Sequence, residues 1–275
     1  MAIVSPLIIV IIVAGAATVF AWISSIVTGD SSWVDRLWSI VPVVYVWIFA
    51  GAAGFADARL DVMAILVTAW GARLTYNFAR KGGYTGVEDY RWPILRARMT
   101  PLQYQFFNFF FTHIFQNAVI LLMTLPALTA FEHQTPFGLG DMLLALLFLA
   151  FLGGETLADQ QQWDFHFAKR AGGANFRPRF LQSGMWRFSR HPNYFFELAQ
   201  WWTFFFIGVV AAGSILQWTV VGVALLTILF IGSTIFTESI TKSKYPEYAE
   251  YQAAVSPIVP WPRRRSALTG APADS

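Results

Sequence analysis

The sequence contains no cysteine, and only 13% of its 275 residues are charged. The absence of cysteine excludes a disulfide framework, a thiolate zinc or iron–sulfur site and a thiol nucleophile. Globular domains carry about 25% charged residues, so half of that fraction excludes an ordinary soluble domain. The chain is instead 56% hydrophobic. Its apolar runs of about 20 residues predict an all-α integral membrane protein.

Several catalytic and cofactor motifs are also missing. The four histidines form neither His-x-x-x-His nor His-x-x-His-His, which argues against a membrane di-iron enzyme, and we expect no metal. There is no Gly-x-Ser-x-Gly and no Walker loop, and Gly138-Leu139-Gly140 lacks the third glycine of a dinucleotide fingerprint. Any nucleotide is therefore expected in a helical cavity and not on a doubly wound sheet.

Hydropathy predicts seven transmembrane helices, since crossing about 30 Å of hydrocarbon needs about 20 apolar residues. No Lys or Arg precedes Arg36, so the first apolar run is expected to be a span and not a cleaved signal. Short links favour antiparallel hairpins. The seven predicted spans are 6–27, 34–55, 60–80, 103–131, 141–163, 193–212 and 215–237.

The positive charges predict the orientation. All Lys and Arg residues except Arg59 and Arg73 fall on the side that holds the 80–102 loop, the 164–192 loop and the C-terminal tail. The positive-inside rule then places the N-terminus outside and the C-terminus in the cytoplasm. We expect a multi-pass protein of the cell inner membrane, with a single domain over 1–265 and a disordered tail over 266–275.

Ionisable side chains at membrane depth are functional candidates, because burying them is costly. They concentrate near the cytoplasmic ends of the predicted helices and predict a cavity that opens to the cytoplasm. His113, alone on an aromatic-rich helix, is expected to be packed and not to bind a ligand. With the uncharged polar side chains that share their helix faces, the candidates are Asp35, Arg73, Tyr76, Asn77, Gln105, Asn108, Thr112, Gln116, Glu155, Asp159, Gln162, His166, Asn193, Glu197, Glu238, Lys242 and Tyr245.

Two predicted cytoplasmic segments carry cations, glycines and aromatics together. The 80–102 loop has the composition of a surface that binds phosphates and rings. In the second segment, Pro192 and Asn193 stand where a helix begins, after Arg190 and His191. A helix start with nearby Arg and His is suited to an anion.

Four motifs carry a family resemblance. They are Leu181-Gln-Ser-Gly-Met-Trp-Arg-Phe-Ser-Arg-His-Pro-Asn-Tyr-Phe-Phe-Glu197, Gly86-Val-Glu-Asp-Tyr-Arg-Trp92, Ala158-Asp-Gln160 and Tyr245-Pro-Glu-Tyr-Ala-Glu-Tyr251. Together they resemble the steroid 5α-reductase superfamily, specifically its bacterial branch, over roughly residues 30–262. The resemblance implies NADPH-dependent reduction of a carbon–carbon double bond conjugated to a ketone, on a lipid such as a 3-oxo-Δ4 steroid that enters from the bilayer.

The resemblance also implies a cofactor site. Asn193 and Glu197 would hold the nicotinamide ribose or carboxamide, and Arg170 and Arg179 would bind the phosphates or the adenosine side. The full set of implied cofactor-binding residues is Lys81, Tyr90, Arg91, Asp159, Gln160, Asp164, Arg170, Arg179, His191, Asn193, Tyr194, Glu197, Glu238, Lys242 and Tyr245.

The group that binds the substrate carbonyl departs from the family. Where the steroid enzymes have a Gln-Glu pair, this sequence reads Val34-Asp-Arg-Leu-Trp-Ser39, and Trp70 stands near the expected tyrosine. The best substitutes for the acid and hydrogen-bond donor are the predicted catalytic residues Asp35, Arg73 and Tyr76.

Two other functions stay open at this point. A similar Arg-His-Pro-x-Tyr segment occurs in lipid and isoprenylcysteine methyltransferases that use S-adenosylmethionine. A non-catalytic transporter or scaffold is the third reading. We expect membrane lipids and an enone lipid as partners, with no nucleic acid and no obligate protein partner.

Overall fold

The computed structural model describes residues 5–263. The predicted disordered tail, 266–275, lies outside these residues. Within the described range the regular structure is helical, and six helical segments are long and apolar enough to cross a membrane. These six segments are Pro6–Thr28, Trp33–Ala52, Pro101–Glu132, Leu139–Gly172, Pro192–Ala212 and Val220–Lys244.

The helices follow the hydropathy pattern with several changes at their ends. Two of the apolar segments are interrupted. A new helix begins at Val41 in the first of them, and a π-helix covers Asn108–Phe115 in the second. The helices, in chain order, are α1 (Pro6–Thr28), α2 (Trp33–Trp38), α3 (Val41–Ala52), α4 (Ala58–Arg80), α5 (Arg91–Ala97), α6 (Pro101–Phe107), α7 (Gln116–Thr124), α8 (Pro126–Glu132), α9 (Leu139–Gly172), α10 (Pro192–Ala212), α11 (Val220–Lys244) and α12 (Tyr248–Ala254).

The third predicted span is present as a helix, α4, but it is not among the six apolar segments. Its charged and amide side chains, which include Arg59, Asp61 and Arg73, lower its mean hydropathy. Asp57 begins this helix by accepting hydrogen bonds from the backbone N–H groups of Arg59 and Leu60.

The chain divides into two compact units. The first consists of Met1–Ala150 and Gln200–Thr227. Its core contains Trp70 and Trp201, whose rings meet edge to face at 4.9 Å.

The second unit consists of Phe151–Ala199 and Ile228–Ser275. Its described part contains the polar end of α9, the segment from Gly173 to His191, the start of α10, the end of α11, and α12. Tyr248, Tyr251, Ala254 and Val255 form a buried cluster in this unit, and Phe180 packs against it.

Candidate functional site

The loop before α10 is shaped by a glycine. Gly184 has a φ of +61°, which side-chain-bearing residues rarely adopt, and it opens a short 3-10 helix over Gly184–Arg187. A Cβ at this position would lie 2.5 Å from Oε1 of Gln161. That same Oε1 atom accepts a hydrogen bond from the backbone N–H of Met185. The loop is therefore held against the polar end of α9.

The start of α10 presents an amide beside an acid. Pro192 is the first residue of the helix, as the sequence predicts, and Asn193 follows it. Asn193 Nδ2 donates to Asp159 Oδ1 at 3.4 Å. Asn193 Oδ1 is buried and has no hydrogen-bond partner. Asp159 and Glu197, both predicted cofactor residues, are buried, with 3% and 4% of their surface exposed.

Glu238 on α11 is surrounded by hydrogen-bond donors. Arg190 binds it through Nε and Nη2, at 2.6 and 3.0 Å. His191 Nε2 lies 3.1 Å from Glu238 Oε1, Gln252 Nε2 donates to Oε2 at 2.8 Å, and the Tyr248 hydroxyl donates to Oε1 at 3.4 Å. The carboxylate thus joins three parts of the second unit: the loop before α10, α11 and α12.

Arg190 also fixes the segment that follows α12. Its Nη1 donates to the carbonyl oxygens of Gln252, at 2.8 Å, and Val255. Its backbone N–H donates to the carbonyl of Ser256 at 2.8 Å, and the Ser189 hydroxyl donates to that of Ile258 at 2.6 Å. The end of the described chain therefore lies along Ser189 and Arg190.

The imidazole of His191 is held on two sides. Its ring stacks on that of Tyr194, with centroids 5.0 Å apart and an angle of 20° between the planes. Tyr194 in turn meets Phe230 edge to face at 4.8 Å. Together with the contact to Glu238, this stack fixes the orientation of His191 next to Asn193.

The end of α9 carries three more of the predicted cofactor residues, Gln160, Asp164 and Arg170. Gln160 donates to Asp164 at 2.8 Å along an exposed face of the helix, and the guanidinium of Arg170 lies 5.7 Å from the centre of the Trp163 ring. Arg170 and Lys242 are exposed, and Arg179 is half-buried.

Lys169, which was not predicted, binds Tyr245. Its ammonium group donates to the Tyr245 hydroxyl at 3.2 Å and to the carbonyl of Arg179. The hydrogen bond from Lys169 lowers the pKa of the Tyr245 phenol, because it favours the tyrosinate form. Burial has the opposite effect on Tyr248 and Tyr251, whose pKa values are raised.

The three predicted catalytic residues lie in the first unit and have different surroundings. Asp35 is half-buried and accepts a hydrogen bond at Oδ2 from Trp92 Nε1 at 2.9 Å. Tyr76 is 67% exposed, and the guanidinium of Arg80 lies over its ring. Arg73 is half-buried in α4. Asp35 therefore contacts the hydrogen-bond donor of Trp92, whereas the Tyr76 side chain faces away from the interior of this unit.

The predicted cofactor residues of the 80–102 loop also lie in the first unit. Arg91 forms an ion pair with Asp89 at 2.8 Å. The backbone N–H of Asp89 donates to the Ser32 hydroxyl at 2.8 Å, which holds the loop against the residues before α2. Lys81 and Tyr90 are exposed on the loop.

Four residues that organise these sites are not among the predicted site residues: Trp92, Arg190, Tyr248 and Gln252. Of these, Arg190 was predicted only as part of an anion-binding helix start. Arg190 stands in a quoted motif, but its partner Glu238 is 48 positions away, and no periodicity connects the two. Tyr248 and Trp92 also lie in motifs that carry the family resemblance, and this membership is the sequence feature that could have identified them. Gln252 follows the last motif and carried no signal.

The comparisons with known proteins place the chain in a family. The model of a family described as proteins of unknown function (DUF1295) matches residues 21–255. An uncharacterized protein of the fission yeast Schizosaccharomyces pombe is 38% identical over 258 residues, which cover 87% of this chain and 75% of the yeast protein. No solved structure matches the chain.

Proposed function

The chain belongs to the DUF1295 family, and we propose that it is an NADPH-dependent reductase of the steroid 5α-reductase superfamily, acting on the carbon–carbon double bond of an α,β-unsaturated ketone lipid. The observation that carries this proposal is the start of α10, where Asn193 Oδ1 is buried without a hydrogen-bond partner beside the buried Asp159. A buried acceptor of this kind is costly unless a ligand donates to it.

The residues of the second unit fit a nicotinamide nucleotide. Asn193 Oδ1 suits a carboxamide N–H, and a buried carboxylate such as Asp159 suits ribose hydroxyls. Arg170, Arg179 and Lys242 supply positive charge for phosphates, and the additional 2′-phosphate of NADPH explains several cations better than NADH does. These residues would hold the cofactor.

Glu238 has a different role in this proposal. Its two oxygens are already engaged by Arg190, His191, Gln252 and Tyr248, so it is a positioning residue. It orients His191 next to Asn193 and holds α12 against the loop.

When bound, NADPH would supply the hydride that is added to the β-carbon of the enone, and protonation of the resulting enol at the α-carbon by a proton from solvent would complete the reduction. The chain must then hold the ketone oxygen, on which negative charge develops, and keep water away from it. We assign the first task to Asp35, whose Oδ2 atom is oriented by the Trp92 N–H. As a protonated acid, Asp35 would donate through its other oxygen to the ketone.

The proposal includes the membrane topology. The segregation of Lys and Arg favours an external N-terminus and a cytoplasmic C-terminus in the cell inner membrane, with α4 as a seventh span and a nucleotide site that opens to the cytoplasm. The enone lipid would enter from the bilayer.

The test is the thermal unfolding of the purified, detergent-solubilised chain with NADPH, NADH or S-adenosylmethionine at equal concentrations. A ligand at about 100 times its Kd stabilises a fold by about 2.7 kcal/mol, so one that binds raises the unfolding midpoint. We expect the increase with NADPH, and we expect Asn193→Ala and Glu197→Gln to abolish it. Asn175→Ala, an exposed amide of the same unit, is the matched control and should keep it.

The other outcomes assign other functions. An increase with S-adenosylmethionine alone would overturn the reductase and make the chain a lipid or isoprenylcysteine methyltransferase. No increase with any of the three would favour a transporter or scaffold.

A further inference from the structure

A second polar site lies within the apolar helices of the first unit. Ser25 of α1 contacts two side chains of the π-helix: Asn108 Nδ2 and His113 Nε2 each lie 3.0 Å from its hydroxyl oxygen. One turn further, Asn117 Nδ2 donates to the backbone carbonyl of His113 at 2.8 Å. Asn108, His113 and Asn117 are each at most 3% exposed. π-helical turns are rare and occur often at functional sites.

The hydrogen-bond roles in this cluster follow from chemistry. The Ser25 hydroxyl donates its proton to the carbonyl of Trp22, at 2.8 Å. Its oxygen must therefore accept from both Asn108 and His113, which fixes the orientation of the Asn108 amide and places the His113 proton on Nε2. The neutral imidazole then has its lone pair on Nδ1. Asn117 must likewise direct its NH₂ group at the His113 carbonyl, which leaves Oδ1 as an acceptor.

The remaining atoms of the cluster have no partner and are mainly acceptors. Asn108 Oδ1, His113 Nδ1 and Asn117 Oδ1 are all buried without a hydrogen bond, as is the hydroxyl of Thr112. Each buried acceptor without a donor costs free energy, so an acceptor such as Asn108 Oδ1 calls for a ligand that donates a hydrogen bond.

A pocket of about 240 Å³ reaches this cluster. Ser25 and Asn108 lie on its wall, Ile26, Met99 and Tyr104 supply apolar surface, and the polar side chains of Ser31, Arg96 and Gln105 also line it. The volume is several times the roughly 30 Å³ that one water molecule occupies in the liquid. Because α1 and Pro101–Glu132 are apolar segments long enough to cross a membrane, the surroundings of the pocket suit a lipid.

We infer that this pocket binds the hydroxyl end of a lipid alcohol, with Asn108 Oδ1 as the first acceptor. The site consists of residues of α1, the loop before α6 and the helices that follow it, all in the first unit, and it shares no residue with the proposed nucleotide site. A neutral hydroxyl matches the pocket better than an ammonium group, because the residues that line it include the cation Arg96 and no carboxylate. Arg96 already forms an ion pair with Glu88 at 2.7 Å, so it does not require an anionic ligand.

The inference is tested with two probes that differ in one hydrogen-bond donor: dodecan-1-ol and dodecyl methyl ether. Each is added at the same mole fraction of detergent to the full-length protein, and thermal unfolding is followed. The alcohol should raise the unfolding midpoint of the wild type, and the ether, which cannot donate, should not. Asn108→Leu should lose the response to the alcohol, whereas Phe106→Leu, an exposed position on the same apolar segment, should keep it.

A photoreactive diazirine-bearing fatty alcohol provides a measurement on the unaltered protein. We expect the label within 22–31 and 96–117. Dodecan-1-ol should compete with labelling at least about fivefold more strongly than the ether, because a fivefold difference in affinity corresponds to about one buried hydrogen bond. Equal effects of alcohol and ether would overturn the inference in favour of simple apolar partitioning. If neither the alcohol nor the ether changes the unfolding midpoint or the labelling, the inference is overturned and the pocket holds water only. Because no nucleotide is added, failure here is distinguishable from failure of the proposed reductase.

Discussion

Glu238 accepts hydrogen bonds from both Nε and Nη2 of Arg190, at 2.6 and 3.0 Å, and both side chains are about nine-tenths buried. Arg190 continues this contact to the chain after α12 through the carbonyl oxygens of Gln252 and Val255. The pair is therefore one of the connections between the loop that precedes α10 and the last helix of the second unit, together with the hydrogen bond from the Tyr251 hydroxyl to the Trp186 carbonyl.

Replacing Glu238 should loosen that connection. Glu238→Gln leaves a buried guanidinium without its carboxylate, and removing one partner of a buried pair costs about 3–5 kcal/mol. We expect a lower unfolding midpoint and faster proteolysis within 176–190. Glu250→Gln, an exposed acid on α12, is the matched control. An unchanged protease pattern in Glu238→Gln would contradict the positioning role.

Asp35 is expected to act on the substrate and not on the nucleotide. Asp35→Ala should reduce turnover of an enone lipid by at least about tenfold while NADPH affinity stays within about threefold, because general acids contribute mainly to the chemical step. Trp92→Phe, which removes the N–H donor to Asp35 and keeps a smaller aromatic ring, should give a smaller loss. Turnover by Asp35→Ala equal to that of the wild type would remove Asp35 from the mechanism.

Hydropathy was sufficient to predict where most of the helices lie. The predicted first span, 6–27, and third span, 60–80, nearly coincide with α1 and α4. The helix that contains the predicted span 141–163 extends beyond it, since α9 continues through polar residues to Gly172. The link between the predicted spans 193–212 and 215–237 is too short, since α10 ends at Ala212 and α11 begins at Val220.

The candidate site was predictable in its residues but not in its pairings. His191, Asn193 and Glu238 were selected from motifs and from charge at membrane depth, and the structure brings His191 to Glu238. The contact of Arg190 with Glu238 depends on how distant segments pack, which spacing in one sequence does not encode. The π-helix that places Asn108 and His113 on Ser25 departs from the 3.6-residue period of an α-helix. It therefore could not be predicted from the sequence pattern either.

Alkaline pH should destabilise the second unit through its buried phenols. The pKa values of Tyr248 and Tyr251 are raised by burial, so their contribution to stability is complete below the unfolded value of about 10 and is lost as the pH rises through the higher folded values. We expect the unfolding midpoint to fall more steeply above pH ~10 in the wild type than in a Tyr248→Phe/Tyr251→Phe variant. Tyr90→Phe, at an exposed position, should behave like the wild type.

The same titration should separate Tyr245 from those two residues. Because the hydrogen bond from Lys169 lowers the pKa of Tyr245, its absorbance change at the tyrosinate band should occur at lower pH than theirs. Tyr245→Phe should remove this early component. If Lys169→Met leaves the early component in place, Lys169 is not its cause.

Arg59 and Asp141 form a buried ion pair in the first unit, with 2% and 1% of their side-chain surfaces exposed. Arg59 also donates to the carbonyl oxygens of Thr135 and Pro136, both at 3.1 Å. Asp141→Asn should destabilise the protein by about 3–5 kcal/mol, measured by thermal unfolding, because it leaves a buried guanidinium unpaired. Arg59→Lys should not restore full stability, since lysine lacks the planar fork that fits a carboxylate with two bonds.

A double variant tests whether the charge itself is responsible. Arg59→Met with Asp141→Leu should be more stable than Asp141→Asn alone, because no unpaired charge remains. Lys244→Met, an exposed cation, should change little. A double variant that is less stable than the single one would assign the effect to packing.

Two glycines on α11 have opposite surroundings. A Cβ at Gly222 would lie 2.2 Å from the backbone carbonyl carbon and oxygen of Leu122, whereas a Cβ at Gly232 would meet nothing within 4 Å. Gly222→Ala must push the α11 and α7 backbones apart, and such overpacking costs about 1–3 kcal/mol. Gly232→Ala should be neutral or stabilising by up to about 1 kcal/mol, because alanine favours the helix. The two variants add the same methyl group to the same helix, so a lower unfolding midpoint in Gly222→Ala alone measures the close approach of Leu122. Equal midpoints would mean that the two backbones are not in contact at Gly222.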